Sequence, residues 1–130
     1  MNRRMGLAGL GGLILAVAAL AASANDKPVT ATGWFDDEKC TAGRVKNGEV
    51  GPSNQDCARK CIKEGARVVF IDESRKALFY VDNPEATHGI ESDYVEFVGT
   101  MNAQAGTVHV DTVKVKSKYV AKCGKPQSKT

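Results

Sequence analysis

The sequence predicts a mainly β domain: a five-stranded barrel with one cysteine-bearing helix between its first and second strands. One segment with helical spacing of apolar residues follows a first β-rich run, and four further β-rich runs come after it. Short polar turns separate those later runs, as expected for a meander of antiparallel strands. The connector between the third and fourth strands is also short, which matches the strand order of small five-stranded barrels.

Local signals place each element along the chain. The predicted strands are residues 32–35, 67–72, 77–82, 94–100 and 107–116. Residues 53–65 are predicted to form the helix, because Ser53 is a suitable N-cap and Gly65 a suitable C-terminal end. The predicted inward stripe of this helix consists of Cys57, Ala58, Cys61 and Ile62.

Irregular backbone is predicted at two places. Valines occupy even-numbered positions before Asp111 and odd-numbered positions after Thr112. Because a shift of one residue turns every side chain to the other face, we expect a β-bulge there. The glycine-containing segment 41–52 is predicted to be a loop, in which Asn47-Gly48 favours a small hairpin.

The beginning of the chain has the features of a secretory signal. Arg3 and Arg4 precede an apolar run, and Ala22-Ser23-Ala24 resembles a small-residue cleavage site. We therefore expect a periplasmic or secreted protein without a transmembrane segment in its mature part. The predicted boundaries are a signal peptide at 1–24, a leader at 25–31, the domain at 32–122 and a Lys-rich tail at 123–130.

The charge of the mature chain is nearly balanced. Loss of Arg3 and Arg4 reduces the 18 basic residues to 16, against 15 acidic ones. Binding to nucleic acid depends largely on cationic side chains, so this balance disfavours a nucleic-acid partner. We expect a monomer that binds a small molecule, a glycan or another protein.

Four cysteines follow the signal: Cys40, Cys57, Cys61 and Cys123. In an oxidising compartment such a set predicts disulfides. Cys57 and Cys61 lie four residues apart on a helix, so their side chains run nearly parallel and a bond between them is disfavoured. Two pairings stay open, namely 40–57 with 61–123 and 40–61 with 57–123.

Metal binding is the alternative interpretation of the same thiols. Cys40, Cys57 and Cys61 offer three thiolates, a donor set that suits copper or zinc. The histidines of the chain, His88 and His109, do not stand at ligand spacing from them. Under the disulfide interpretation no cofactor is expected.

The sequence contains no nucleophile elbow, zinc-protease motif or phosphate-binding glycine loop, which favours a binding module over an enzyme. Small barrels of this type commonly bind ligands on their second and third strands and the adjoining loops. Arginine and tyrosine are efficient contact residues. The predicted binding surface therefore consists of Arg67, Tyr80, Arg44 and Lys46. The acidic run 36–38 is predicted to be a solvated turn.

A family resemblance supports the same fold. Gly33-Trp34-Phe35-Asp36 with Cys40, followed by the block Asp56–Ala66, resembles a family of small secreted bacterial domains of unknown function. The resemblance implies an OB-like barrel and a periplasmic compartment, and it implies no activity. Thr41 departs from the glycine usual in that family, the loop after it has no histidine, and Cys123 is an addition.

Overall fold

The computed structural model describes residues 25–121, which form a closed barrel of five strands in the order β1-β2-β3-β5-β4. The strands are β1 (Lys27–Asp37), β2 (Val68–Asp72), β3 (Ala77–Val81), β4 (Tyr94–Asn102) and β5 (Thr107–Ser117). All neighbouring strands are antiparallel except β3 and β5, which are parallel. This arrangement confirms the predicted OB-like barrel.

Two helices, rather than the single one predicted, connect β1 to β2: α1 (Glu38–Lys46) and α2 (Gln55–Lys63). A short 3-10 helix, Pro84–Thr87, lies between β3 and β4. No helix within residues 25–121 is long and apolar enough to cross a membrane. The predicted signal peptide 1–24 and the predicted tail 123–130 lie outside the described residues.

Strand β1 is the element that closes the barrel. It pairs with β4 over residues 27–34 and with β2 over residues 33–37, so it changes partner near Gly33. A Cβ atom at Gly33 would lie 1.9 Å from the carbonyl oxygen of Ile71, an approach that only glycine permits. Because β1 begins at Lys27, most of the segment assigned to a leader, residues 25–31, belongs to the barrel.

The core of the barrel is centred on three phenylalanines. Phe35, Phe70 and Phe97 are fully buried, and the Phe70 and Phe97 rings meet edge to face with centroids 4.7 Å apart. Phe35 lies 5.3 Å from Phe70 and 6.0 Å from Phe97, measured between ring centroids. Alternating residues of the strands complete this core, as the predicted strand periods require.

The predicted bulge in the last strand is confirmed. Val98 pairs with Thr112 whereas Gly99 pairs with Val110, so Asp111 has no partner in the register between β4 and β5. Because of the extra residue, the even-numbered Val108 and Val110 are in the core on the N-terminal side of the bulge. On its C-terminal side, the odd-numbered Val113 and Val115 pack against the core.

The segment 41–52 was wrongly predicted to be a loop with a hairpin, since α1 occupies its first half. Asp37 caps this helix by accepting a hydrogen bond from the Cys40 N–H at 3.0 Å. Gly48, with a φ angle of +82°, follows the C-terminal end of the helix. Asn47-Gly48 therefore ends a helix, and no hairpin forms there.

The N-cap of helix α2 lies one residue later than predicted. Asn54, not Ser53, is the N-cap, and its side chain accepts hydrogen bonds from the N–H groups of Asp56 and Cys57. Gly65, with a φ angle of +100°, follows the last turn as predicted. Ala58 is buried, whereas Cys57 is exposed, so the predicted inward stripe is wrong for that cysteine.

Asp72 organises the turn from β2 to β3. It is fully buried and accepts hydrogen bonds from the Ser74 hydroxyl, the Arg75 N–H and the Arg75 guanidinium. Burial opposes ionisation of this carboxyl, but the hydrogen bonds from Arg75 and Ser74 outweigh that effect and lower its pKa. The ionised form of Asp72 therefore stabilises the native state.

We expect Asp72→Asn to lower the free energy of unfolding by about 1.5–3 kcal/mol at neutral pH, since it weakens a charge-assisted network. Because the pKa of Asp72 is lower in the folded protein than in the unfolded one, its carboxylate stabilises the fold at pH values above the unfolded-state pKa. This contribution is lost as the pH falls through the folded-state pKa. Urea unfolding at a series of pH values should show the variant and the wild type converging in acid. A constant difference down to about pH 2 would contradict this assignment. The exposed Glu85→Gln is the control.

Candidate functional site

A groove of about 710 Å³ lies where the chain after α1 meets the end of β5. Its walls come from β1, from β4, from the segment 50–54 and from the segment 117–120. Grooves of this size accommodate small-molecule ligands. We call this site the aromatic groove, because three of its lining residues are Trp34, Tyr94 and Tyr119.

Trp34 and Tyr94 form one wall of the aromatic groove. Their rings are 5.2 Å apart between centroids and tilted by 46°, and both side chains are partly exposed. The Tyr94 hydroxyl donates a hydrogen bond to Glu73, which raises the pKa of that hydroxyl. This hydrogen bond orients the Tyr94 ring, and the Trp34–Tyr94 pair presents aromatic surface to the groove.

The end of β5 forms another part of the wall. The Tyr119 N–H donates a hydrogen bond to Asp93 Oδ1 at 2.7 Å, and Lys118 Nζ lies 3.0 Å from Oδ2 of the same carboxylate. Asp93 is almost completely buried. A buried carboxylate therefore holds the residues that follow β5 against the barrel.

Asp36 supports the groove from inside. It is fully buried and accepts hydrogen bonds from the Ser53 N–H at 2.7 Å and from the Ser53 hydroxyl at 2.6 Å. The Ser92 hydroxyl is 3.5 Å from the same carboxylate. The hydrogen bonds from Ser53 lower the pKa of Asp36, but burial has the larger effect and raises it. The prediction of a solvated acidic turn was wrong, since Asp36 and Asp37 are both buried.

The cations of the groove are already paired. Arg44 Nε lies 3.2 Å from Glu49 Oε2, and Arg44 also donates to the Pro52 carbonyl oxygen at 3.2 Å. Lys118 is paired with Asp93. The groove therefore combines aromatic surface with balanced charge.

The predicted binding surface is only partly assembled. The Arg67 guanidinium lies over the Tyr80 ring, 3.8 Å from its centroid, and Arg67 also pairs with Glu38 at 2.9 Å. Arg44 lines the aromatic groove, and Lys46 is exposed at the end of α1. The predicted anchors Arg67 and Tyr80 thus contact each other.

Sequence reasoning did not place the aromatic groove. Trp34 has the opposite strand parity to the core residue Phe35, which was a usable signal that it faces outward. Tyr94 lies opposite Trp34 in the register of β1 and β4, a pairing that only the fold reveals.

A second group of candidate functional side chains lies where α1, α2 and the end of β1 meet. The sulfur atoms of Cys40 and Cys61 are 4.3 Å apart, and a carboxylate oxygen of Asp37 lies within 4.8 Å of both. We call these three residues the thiol cluster. Burial, followed by the negative charge of Asp37, raises the pKa of Cys40 to about 11.

The thiol cluster corrects the predicted three-cysteine metal set. Cys57 is exposed on α2 and does not belong to the cluster, where Asp37 takes its place. Among residues 25–121, no disulfide joins any two of Cys40, Cys57 and Cys61. Cys123, the fourth disulfide candidate, lies outside the described residues.

Comparisons of the chain with protein-family models, with curated proteins and with solved structures gave no match. The function is therefore inferred from the aromatic groove and the thiol cluster themselves.

Proposed function

We propose that the protein is a non-enzymatic OB-like binding module of the periplasm or extracellular space, and that it binds a short neutral glycan in the aromatic groove. The observation that carries this proposal is the tilted, partly exposed pair of Trp34 and Tyr94 on the groove wall. The C–H face of a sugar ring is apolar and packs on aromatic rings, while its hydroxyls need polar partners at the edges.

Size and charge support a neutral ligand. A volume of about 710 Å³ falls within the range of small-molecule sites. Arg44 and Lys118 each have a carboxylate partner. A strongly anionic ligand would have to compete with those carboxylates, whereas a neutral polyhydroxy ligand leaves both pairs intact.

The disulfide expected of a secreted protein is assigned in this proposal to Cys57 and Cys123. Cys57 is exposed in the first turn of α2, whose N-cap Asn54 lines the aromatic groove together with Val120. Cys123 lies three positions after Val120 in the sequence, a chain length that spans at most about 10 Å. The pair lies within the second of the two pairings left open by the sequence.

Fluorescence of Trp34, the only tryptophan of the chain, reports directly on the groove. We expect a saturable change on titration with one of three neutral probes: cellotetraose, chitotetraose or maltotetraose. Tyr119→Ala should weaken that binding about tenfold, because an aromatic stacking partner contributes about 1–3 kcal/mol. Isothermal calorimetry with the same probe provides an independent affinity.

Tyr80→Ala is the matched control, because it removes a tyrosine from the β2–β3 face and leaves the groove unchanged. Equal affinities for wild type and Tyr119→Ala, or a loss confined to Tyr80→Ala, would contradict the proposed location. Absence of a response to all three probes would contradict the glycan assignment.

A further inference from the structure

Among the side chains of residues 25–121, one buried oxygen or nitrogen atom has no hydrogen-bond partner, and it belongs to the thiol cluster. Asp37 is fully buried; its Oδ2 caps α1 by accepting from the Cys40 N–H, but its Oδ1 has no partner. A buried carboxylate oxygen without a donor is costly, so it indicates a missing partner. A carboxylate oxygen of Asp37 lies within 4.8 Å of the sulfurs of Cys40 and Cys61, which are the ligand atoms grouped with it.

The spacing of the sulfurs fits a shared metal ion better than a bond between them. Two thiolates on a tetrahedral zinc ion, each about 2.3 Å from the metal, lie about 3.8 Å apart. The observed separation is 4.3 Å. A disulfide requires about 2.05 Å, and it would leave Asp37 Oδ1 without a partner.

We propose that Asp37, Cys40 and Cys61 form a zinc site in which two thiolates and one carboxylate bind the ion and a water molecule completes the tetrahedron. Carboxylate and thiolate are both established zinc ligands. Copper(I) selects soft sulfur donors, and it gives Asp37 no role. The site is separate from the aromatic groove and does not depend on the proposed glycan.

The placement of the ligands gives such a zinc ion a structural role. Asp37 ends β1, Cys40 lies in the first turn of α1, and Cys61 lies in the second turn of α2. The ion would connect both helices to the strand that closes the barrel. The carboxylate and the two thiolates belong to three different elements, and they come together only when those elements have packed. Zinc binding would therefore stabilise the folded state.

The first experiment measures the metal and thiol content of the full chain purified from the oxidising compartment. Elemental analysis should find one zinc per chain, and non-reducing peptide mapping should find Cys40 and Cys61 unmodified. The Cys57→Ser, Cys123→Ser double variant should keep the zinc, because it leaves the thiol cluster intact. A Cys40–Cys61 disulfide without metal would overturn the zinc proposal, while the groove proposal would stand.

The second experiment tests the carboxylate. The double variant, reduced and freed of metal, is titrated with zinc and, separately, with cobalt(II), whose thiolate charge-transfer absorption reports the sulfur ligands. Asp37→Asn in that background keeps a capping side chain, and it should weaken zinc binding about tenfold or more. Cys61→Ser should remove part of the cobalt–thiolate absorption. Unchanged zinc affinity in Asp37→Asn, or a preference for copper(I) that this substitution does not alter, would overturn the assignment.

Discussion

Replacing Phe70 by alanine is expected to lower the free energy of unfolding by about 3–5 kcal/mol, which is among the largest effects of any single substitution in the barrel. Phe70 is fully buried and contacts the rings of Phe35 and Phe97. Removal of the ring loses the free energy gained by burying it, and it leaves a cavity that the surrounding strands cannot fill. For a domain with a total stability of about 5–15 kcal/mol, this is a large fraction.

Urea unfolding followed by circular dichroism measures this effect. Val98→Ala is the control, since Val98 lies on β4 with 47% of its surface exposed and should change stability by less than about 1 kcal/mol. A loss below about 1.5 kcal/mol for Phe70→Ala would mean that the three rings do not form the centre of the core.

Gly33→Ala is expected to destabilise the barrel by about 3 kcal/mol or more, although it adds only a methyl group. The added Cβ would lie 1.9 Å from the Ile71 carbonyl oxygen and 3.0 Å from the Phe70 ring. The first of these contacts is with backbone, so it is relieved only if β1 and β2 separate. The substitution acts at the residue where β1 exchanges one partner strand for the other.

Gly43→Ala is the matched control for this glycine. Gly43 lies within α1, and a Cβ added there would meet nothing within 4 Å. Alanine in a helix interior should raise the free energy of unfolding by about 0.5–1 kcal/mol. Thermal unfolding should therefore shift in opposite directions for the two glycine variants, and a shift of both in the same direction would contradict the close approach of β1 to β2.

The strands were predictable because their signal is local. Runs of β-branched and aromatic residues between polar turns placed β2, β3, β4 and β5 to within two residues at each end, and the change of valine parity placed the bulge at Asp111. The start of β1 was missed because the inward positions before Phe35 include the small residues Ala31 and Gly33, which give only a weak apolar alternation.

Helix α1 and the two buried carboxylates were not predictable from such patterns. Of the helix α1 residues only Thr41 is buried, so it lacks the apolar stripe by which helices are recognised. In the sequence, Asp36 and Asp37 have the appearance of a solvated pair. Their burial depends on hydrogen-bond donors that the sequence pattern does not reveal, and Asp37 accepts from the Cys40 N–H as the cap of α1. Asp36 accepts from Ser53, seventeen residues away. These are the residues that support the aromatic groove and the thiol cluster.

Chemical-shift mapping by NMR tests the location of the binding site most directly. The full chain, labelled with ¹⁵N, is titrated with the oligosaccharide that gives the strongest fluorescence response. We predict that shifts concentrate on the Trp34 indole N–H, on the backbone of residues 50–54 and on the backbone of residues 117–120. Shifts concentrated around Arg67 and Tyr80 on the β2–β3 face, with the Trp34 indole unchanged, would contradict the account.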